Sequence, residues 1–394
     1  MPWREASLAE ERFEFAILAT KGERTFSALC AEFGISRQTG YTWWRRYREG
    51  SRDFTDRSRR PQHSPRRTAA ELEAAVVAAR QKRPDWGAPK LVKLLEQQDP
   101  PIHLKERTVH RILERHGLIC PAERKTQAPG RFEREAPNDL WQMDFKGPLG
   151  FNKEFSVGPL SMLDDHSRFL LELRHLGSTR SEGVKRTLEQ TFDQCGIPNW
   201  ILIDHGTPWW NAASPWGLTE LSVWIMRLGV RLTYSGIRHP QTQGKVERMH
   251  GALQRALRHR KTDLYDQAWL DEFRHEYNYL RPHAGLQMAT PASRWKPSSR
   301  PFPRTVTEWE YPAGMQVHRL SGQGQLCWKG RHWEISNALR GQLIGIDLVD
   351  SLAVVYFCRT PLRELDLVSG DARPLPVNAI RSLNELNKPP DVPS

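Results

Sequence analysis

At Asn138 the pattern of this chain changes from helical to strand-like, and that change limits the folds open to it. Trp141, Met143 and Phe145 alternate with Gln142 and Asp144, the period of a strand with one apolar face. Phe155–Leu163 and Arg168–Leu176 read as two further strands, joined by Asp164-Asp165-His166-Ser167. Glu182 to Cys195 reads as a helix, and Asn199–Ile203 as a short buried strand ending in Asp204-His205-Gly206. Gly217 to Leu228 is helical, Val230–Tyr234 a strand, and Tyr265 to Leu280 one more helix. Strands followed by alternating helix and strand predict a mixed sheet with helices on its faces.

The segment before this point is helical and basic. Phe13, Ala16, Ile17 and Leu18 seed one helix, and Thr25 to Phe33 makes a second. After the turn Gly34-Ile35-Ser36 comes Arg37 to Arg48, with Ser36 as N-cap and Tyr41, Trp44 and Tyr47 spaced at three. Helix, glycine turn and capped helix predict a helix-turn-helix over residues 1–50. Arg37, Gln38, Thr42, Arg45 and Arg46 would face outward, able to bond bases or phosphates. From Arg45 to Arg67 nine arginines stand against Glu49, Asp53 and Asp56, so residues 51–67, with Arg59 and Arg60, read as a linker following a phosphate backbone. A second helical unit is expected over 68–120, with helices Ala69–Arg83, Pro89–Gln97 and Lys105–His116 and a C-terminal stop at Gly117. His110, His116 and Cys120 lack a matching cysteine pair, which argues against zinc. Residues 121–137, with three prolines, read as another linker.

The chemistry points to three acids. Asp144 lies on the first strand and Asp204 at the end of a later one. Glu247 follows the loop His239-Pro240-Gln241-Thr242-Gln243-Gly244, where Val246, Met249, Leu253, Ala256 and Leu257 form one helical arc. Glu247 falls on the flank of that arc with His250, Gly251, Gln254 and Arg258, at the edge of a core. Acids at strand ends converge at a sheet's edge, and three carboxylates together repel unless a divalent metal neutralises them. Hard oxygen ligands suit Mg2+ or Mn2+. Asp164 and Asp165 compete for a ligand role, but a turn-forming pair beside Ser167 is the simpler reading.

Trp141-Gln142-Met143-Asp144-Phe145, Asp164-Asp165-His166-Ser167-Arg168 and His239 through Arg248 closely resemble bacterial insertion-sequence transposases. So does Tyr277-Asn278-Tyr279-Leu280-Arg281-Pro282-His283-Ala284-Gly285-Leu286, followed by Thr290-Pro291-Ala292. These proteins belong to the retroviral-integrase-like DDE superfamily, built on an RNase H-like core. The resemblance implies such a core over residues 138–297. It implies a catalytic, metal-binding triad of Asp144, Asp204 and Glu247 holding two Mg2+, with Mn2+ as substitute. It also implies nicking at the element's ends and attack of the freed 3′-OH on target DNA, by a homo-oligomer assembled on double-stranded DNA. Lys245, Arg248 and Arg258 are candidates for gripping it. The chain departs from the family at His205 and Gln243, where Asn is usual, at Gln254, where Lys or Arg is common, and in a longer Asp204–Glu247 spacing.

Beyond Pro297, Met315–Leu320, Gln325–Trp333, Gln342–Val349, Leu352–Cys358 and Leu362–Leu367 read as five strands of a small barrel over 305–370. Residues 371–394 read as a tail. The expected architecture is therefore multidomain: N-terminal all-α helix-turn-helix units, a central α/β RNase H-like core with a mixed sheet, and a C-terminal β-barrel. A net charge of +12 fits a polyanionic partner. The five dispersed cysteines suit a reducing cytosol, and no run is apolar enough for a membrane span, so a cytoplasmic protein is expected. A DNA-binding regulator with an inert core, and a metal-dependent nuclease without strand transfer, are the rival readings.

Overall fold

The computed structural model describes residues 7–56, 68–119, 133–147, 157–234, 244–259 and 266–373. These form two compact units, Met1–Thr68 and Ala69–Ser394. Among the described residues no helix is long and apolar enough to cross a membrane.

The smaller unit holds α1 (Leu8–Lys21), α2 (Phe26–Glu32) and α3 (Arg37–Arg48). Thr25 caps α2, and the Ser36 hydroxyl accepts from Thr39 N at 3.1 Å to start α3. Gly40 and Trp43 are buried, whereas Tyr41 is exposed and stacks on Phe26 at 4.2 Å. A Cβ at Gly40 would meet Cys30 Sγ at 2.8 Å and Phe15 Cζ at 2.9 Å, so the absent side chain lets α3 lie close against α1 and α2.

The larger unit begins with α4 (Ala70–Lys82), α5 (Ala88–Glu96) and α6 (Glu106–Arg115), packed around Val76, Trp86, Leu91, Leu95 and Ile112. Next comes a five-stranded sheet of β1 (Leu140–Phe145), β2 (Leu160–Asp164), β3 (Leu170–Arg174), β4 (Trp200–Ile203) and β5 (Arg231–Tyr234), in the order β3-β2-β1-β4-β5. The β3-β2-β1 side is antiparallel, and β1-β4-β5 is parallel. One face packs on α7 (Ser181–Cys195) and α8 (Glu220–Arg227) through Trp141, Met143, Leu188, Phe192 and Ile225. The other carries α9 (Gly244–Arg258) and α10 (Gln267–His275), through Leu163, Leu170, Val246, Met249 and Leu253.

The motif Tyr277–Leu286 proves to be a clasp. Asn278 accepts from Leu170 N at 2.7 Å and donates to Leu170 O at 2.9 Å, satisfying both polar groups of that residue on edge strand β3. The Arg281 guanidinium donates to Asp85 Oδ2 at 2.8 Å, with both side chains buried, and so ties the α4–α6 bundle to the sheet.

The C-terminal strands are β6 (Gln316–Arg319), β7 (Gln325–Trp328), β8 (Arg331–Glu334), β9 (Leu343–Val349), β10 (Leu352–Phe357), β11 (Thr360–Asp366) and β12 (Ala372–Arg373). The expected barrel is corrected here: the antiparallel sheet β12-β11-β10-β9-β6 stays open among the described residues. The single strand expected over Gln325–Trp333 reverses at Lys329-Gly330 and becomes the separate hairpin β7-β8. Ile344, Ile346, Val355 and Leu365 do not close on themselves but share one core with α8 and the central sheet, so the apolar face is covered without closure. β12 also uses the first residues of the expected tail, pairing with Glu364 and Leu365.

Candidate active site

Neighbouring parallel strands carry two of the three acids. Gln142 of β1 is in register with Leu202 of β4, so two residues further along Asp144 comes level with Asp204, just past the end of β4. Gly206 N donates to Asp204 Oδ1 at 3.0 Å, and Trp209 Nε1 donates to the same oxygen at 2.7 Å. Trp209 is buried and stacks on Phe145, the residue after Asp144, at 5.6 Å. A Cβ on Gly206 would press on Asp204 Oδ2 at 2.9 Å, so glycine there clears space for the carboxylate.

Glu247 comes from the first turn of α9. Gln142, fully buried on β1, accepts from Val246 N at 3.3 Å through Oε1 and donates to Asp165 Oδ1 at 2.8 Å through Nε2, which pins the helix start over the strand. Glu247 itself is exposed, further into solvent than the core edge expected for it. The loop residues His239–Gln243 lie outside the described residues.

The electrostatics converge on Asp144. Burial first, then the neighbouring charges of Asp204 and Glu247, push its carboxyl up to about 7. His250, one turn beyond Glu247, sets its Nδ1 3.8 Å from Asp144 Oδ2, while its Nε2 is hydrogen-bonded to Ser161 Oγ at 2.9 Å. Burial holds this imidazole's pKa down at about 3, so it stays neutral beside the carboxyl. His250 was grouped with Glu247 on the helix flank from the sequence, but its contact with β1 and β2 was not foreseen. Its offset of three residues from Glu247 was the available signal.

Asp164 and Asp165 are fully buried structural acids. Asp164 accepts from Asn138 N at 2.7 Å and from Ser167 N at 2.8 Å and Oγ at 2.5 Å, which closes the β2–β3 turn. Asp165 accepts from Arg134 N and Gln142 Nε2 and pairs with Lys245. Lys245, expected to grip DNA, thus has its ammonium paired with Asp165 and largely buried, and burial lowers its pKa to about 8. Arg248, Gln254 and Arg258 are exposed along α9. On α3, Arg37, Gln38 and Arg45 are exposed; the Thr42 hydroxyl donates to Gln38 O. Arg46 is half-buried over Trp43 and donates to Thr55 O at 3.2 Å. Arg59 and Arg60 lie outside the described residues.

Residues 134–240 match a family model described as an integrase core domain, and residues 228–291 match a second with the same description. The chain carries an integrase core. Residues 11–62 match a helix-turn-helix domain and residues 39–113 a homeodomain-like domain. The integrase core is therefore preceded by helix-turn-helix DNA-binding modules in a transposase- or integrase-like arrangement. Among solved structures, the HTLV-2 integrase catalytic core domain in complex with magnesium is similar at 16% identity, over 41% of this chain and 97% of that one, with a TM-score of 0.32. The BIV integrase core is similar at 21% identity over 40% and 92%, with a TM-score of 0.31. A simian T-cell lymphotropic virus intasome in complex with PP2A regulatory subunit B56 gamma is similar at 16% over 72% and 96%, with a TM-score of 0.36.

Three carboxylates are the chemistry a hard divalent cation prefers, and burial first, then the charges of Asp204 and Glu247, destabilises Asp144 as an anion. Among the described residues no group of three His, Cys, Asp or Glu side chains is placed closely enough to hold a metal ion, and the acids act on one another through space. The site has a signature in the apoprotein. With its pKa raised from 3.8 to about 7, Asp144 binds its proton more tightly in the folded chain than in the unfolded one between those values. Stability therefore falls as pH rises through that window. In EDTA, Asp144→Asn should melt several degrees above the wild type at pH 8 and coincide with it near pH 4, a gap on the order of 2–4 kcal/mol. Coincident melting at both pH values would contradict the crowding of acids at this position.

Proposed function

We propose that this chain is a DNA transposase of the bacterial insertion-sequence type, binding the ends of its element and catalysing metal-dependent nicking and strand transfer. The observation carrying this reading is the level placement of Asp144 and Asp204 on adjacent parallel strands, with Glu247 acting on Asp144 from α9. Asp144, Asp204 and Glu247 would hold two Mg2+, with Mn2+ as substitute. When bound, such a pair activates the attacking oxygen and stabilises the leaving oxygen of a phosphodiester.

The chain's own residues do the rest. Trp209 and Gly206 fix the Asp204 carboxylate by occupying one oxygen, leaving Oδ2 to face outward chemistry. His250 braces Asp144 without contributing charge, and Gln142 keeps the start of α9 in place. Arg248 and Arg258, exposed on the same helix as Glu247, are placed to meet phosphates. Recognition falls to Arg37 and Gln38 of α3, with Arg45 and the arginine-rich stretch to Arg67 supplying affinity independent of sequence. The active form is proposed to be a homo-oligomer on double-stranded DNA in the bacterial cytoplasm.

The test uses the full chain and a supercoiled plasmid carrying the inverted repeats that flank its coding sequence. Mg2+-dependent nicks at the repeat ends, and joined products bounded by short direct duplications, are the expected result. Specific binding with no cutting in Mg2+ or Mn2+ would support the second reading, an inert helix-turn-helix regulator, which the departures at His205 and Gln254 favour. In EDTA, binding should persist and weaken with salt at a log–log slope of roughly −0.9 per neutralised phosphate. Arg37→Ala should change which sequence is preferred, whereas Arg45→Ala should lower affinity for all sequences alike. An unchanged preference in Arg37→Ala would remove α3 as the reading helix.

A further inference from the structure

The Asp204 carboxylate is held through one oxygen only. Its Oδ1 accepts from Trp209 Nε1 at 2.7 Å and from Gly206 N at 3.0 Å, whereas Oδ2 accepts no hydrogen bond among the described residues. An oxygen of a carboxylate has two lone-pair sites, so these two donors fill Oδ1. Gly206 makes its bond within the local turn, but Trp209 is brought to Asp204 by tertiary packing. Its ring stacks on Phe145 of β1, its carbonyl accepts from the Tyr234 hydroxyl of β5 at 3.4 Å, and the residue is 1% exposed. Held on both sides, the indole cannot turn its N–H elsewhere, and that group donates without being able to accept. Packing alone would be served by phenylalanine; the N–H is what tryptophan adds.

We infer that Trp209 is a positioning residue: it limits Asp204 to one ligating oxygen and thereby favours a small cation such as Mg2+ over a larger one such as Ca2+. The inference rests on the proposed metal-dependent chemistry and deepens it by naming what sets the choice of ion. Ca2+ gathers roughly six to eight oxygens in flexible geometry and takes carboxylates through one oxygen or both. Mg2+ demands a near-ideal octahedron and keeps several waters, so a single oxygen from each acid suffices. With Oδ1 filled, Asp204 has only Oδ2 to offer, which deprives the larger ion of a ligand and costs the smaller one nothing. Neighbours that hydrogen-bond to a ligand tune metal affinity in this way.

The experiment titrates the full chain with Mg2+ and with Ca2+ by calorimetry, without DNA, so that binding is read rather than cutting. Trp209→Phe keeps a ring against Phe145 and removes the donor, opening one lone pair of Oδ1. The ratio of Ca2+ to Mg2+ affinity should rise about 10-fold in this variant. The benzothiophene analogue of tryptophan at position 209 replaces the N–H with sulfur at nearly constant volume, and should give the same rise if Trp209→Phe does not fold. A purely structural role would weaken both ions together and leave the ratio where it was. An unchanged ratio, with binding of both ions abolished by Asp204→Asn, would overturn the inference and leave the metal site standing. Absence of binding in the wild type, or binding that survives Asp204→Asn, would remove the metal reading itself and the inference with it.

Discussion

Glu247→Gln should leave a folded chain that binds DNA and no longer nicks it. The side chain is exposed at the first turn of α9, so the amide disturbs no core contact. What it removes is one negative charge from the set acting on Asp144. Changes merely outside a metal's ligands commonly cost 10–100-fold, so loss of a ligand charge should lower nicking of a supercoiled substrate by more than roughly 100-fold. Asp144→Asn and Asp204→Asn should match it. Asp164→Asn should act differently. That carboxylate is sealed and accepts from Asn138 N, Ser167 N and Ser167 Oγ. An amide keeps the shape but cannot serve as acceptor at both positions without loss, so melting temperature should fall while cutting per folded molecule survives. Full nicking by Glu247→Gln would end the assignment of the triad.

The largest effect on stability is expected at Arg281. Its pair with Asp85 joins the α4–α6 bundle to the sheet across 196 residues of sequence, and the two side chains are 3% and 6% exposed. Arg281→Ala would leave Asp85 charged and sealed beside Trp86, which is itself fully buried. Removing one partner of a buried pair costs about 3–5 kcal/mol, because the survivor keeps its desolvation penalty. A melting midpoint lower by about 10 °C follows at roughly 2–4 °C per kcal/mol. The double variant Asp85→Asn, Arg281→Met should recover most of that loss, since neither charge then remains. A double variant no more stable than Arg281→Ala would show that the arginine acts through packing on Trp86 rather than through its charge.

Period-2 alternation at Trp141–Phe145, the short apolar run Asn199–Ile203 and the helical arc from Val246 to Leu257 were sufficient to place the acids on one strand, at the end of another and on a helix. Local chemistry likewise determined the start of α3, because Ser36 caps it with a bond to Thr39 three residues away. These features depend on neighbours in the chain, so they can be read from the chain. Other features depend on which surfaces meet. Alternation in β1 says nothing of its partner, and only the register with β4 brings Asp144 level with Asp204. Gly40, on the inward side of α3, offers no hydrophobic signal, yet its missing side chain is what brings the helices together. Lys245 read as a DNA contact because a lysine at a helix start looks exposed, until Asp165 arrives from the β2–β3 turn to sequester it. Five alternating strands suggested closure because a sheet with one apolar face must cover it. Whether a sheet covers that face by curling round or by lying on another surface is decided in three dimensions. Here the surface of α8 and the central sheet was available, and the C-terminal sheet stayed open against it.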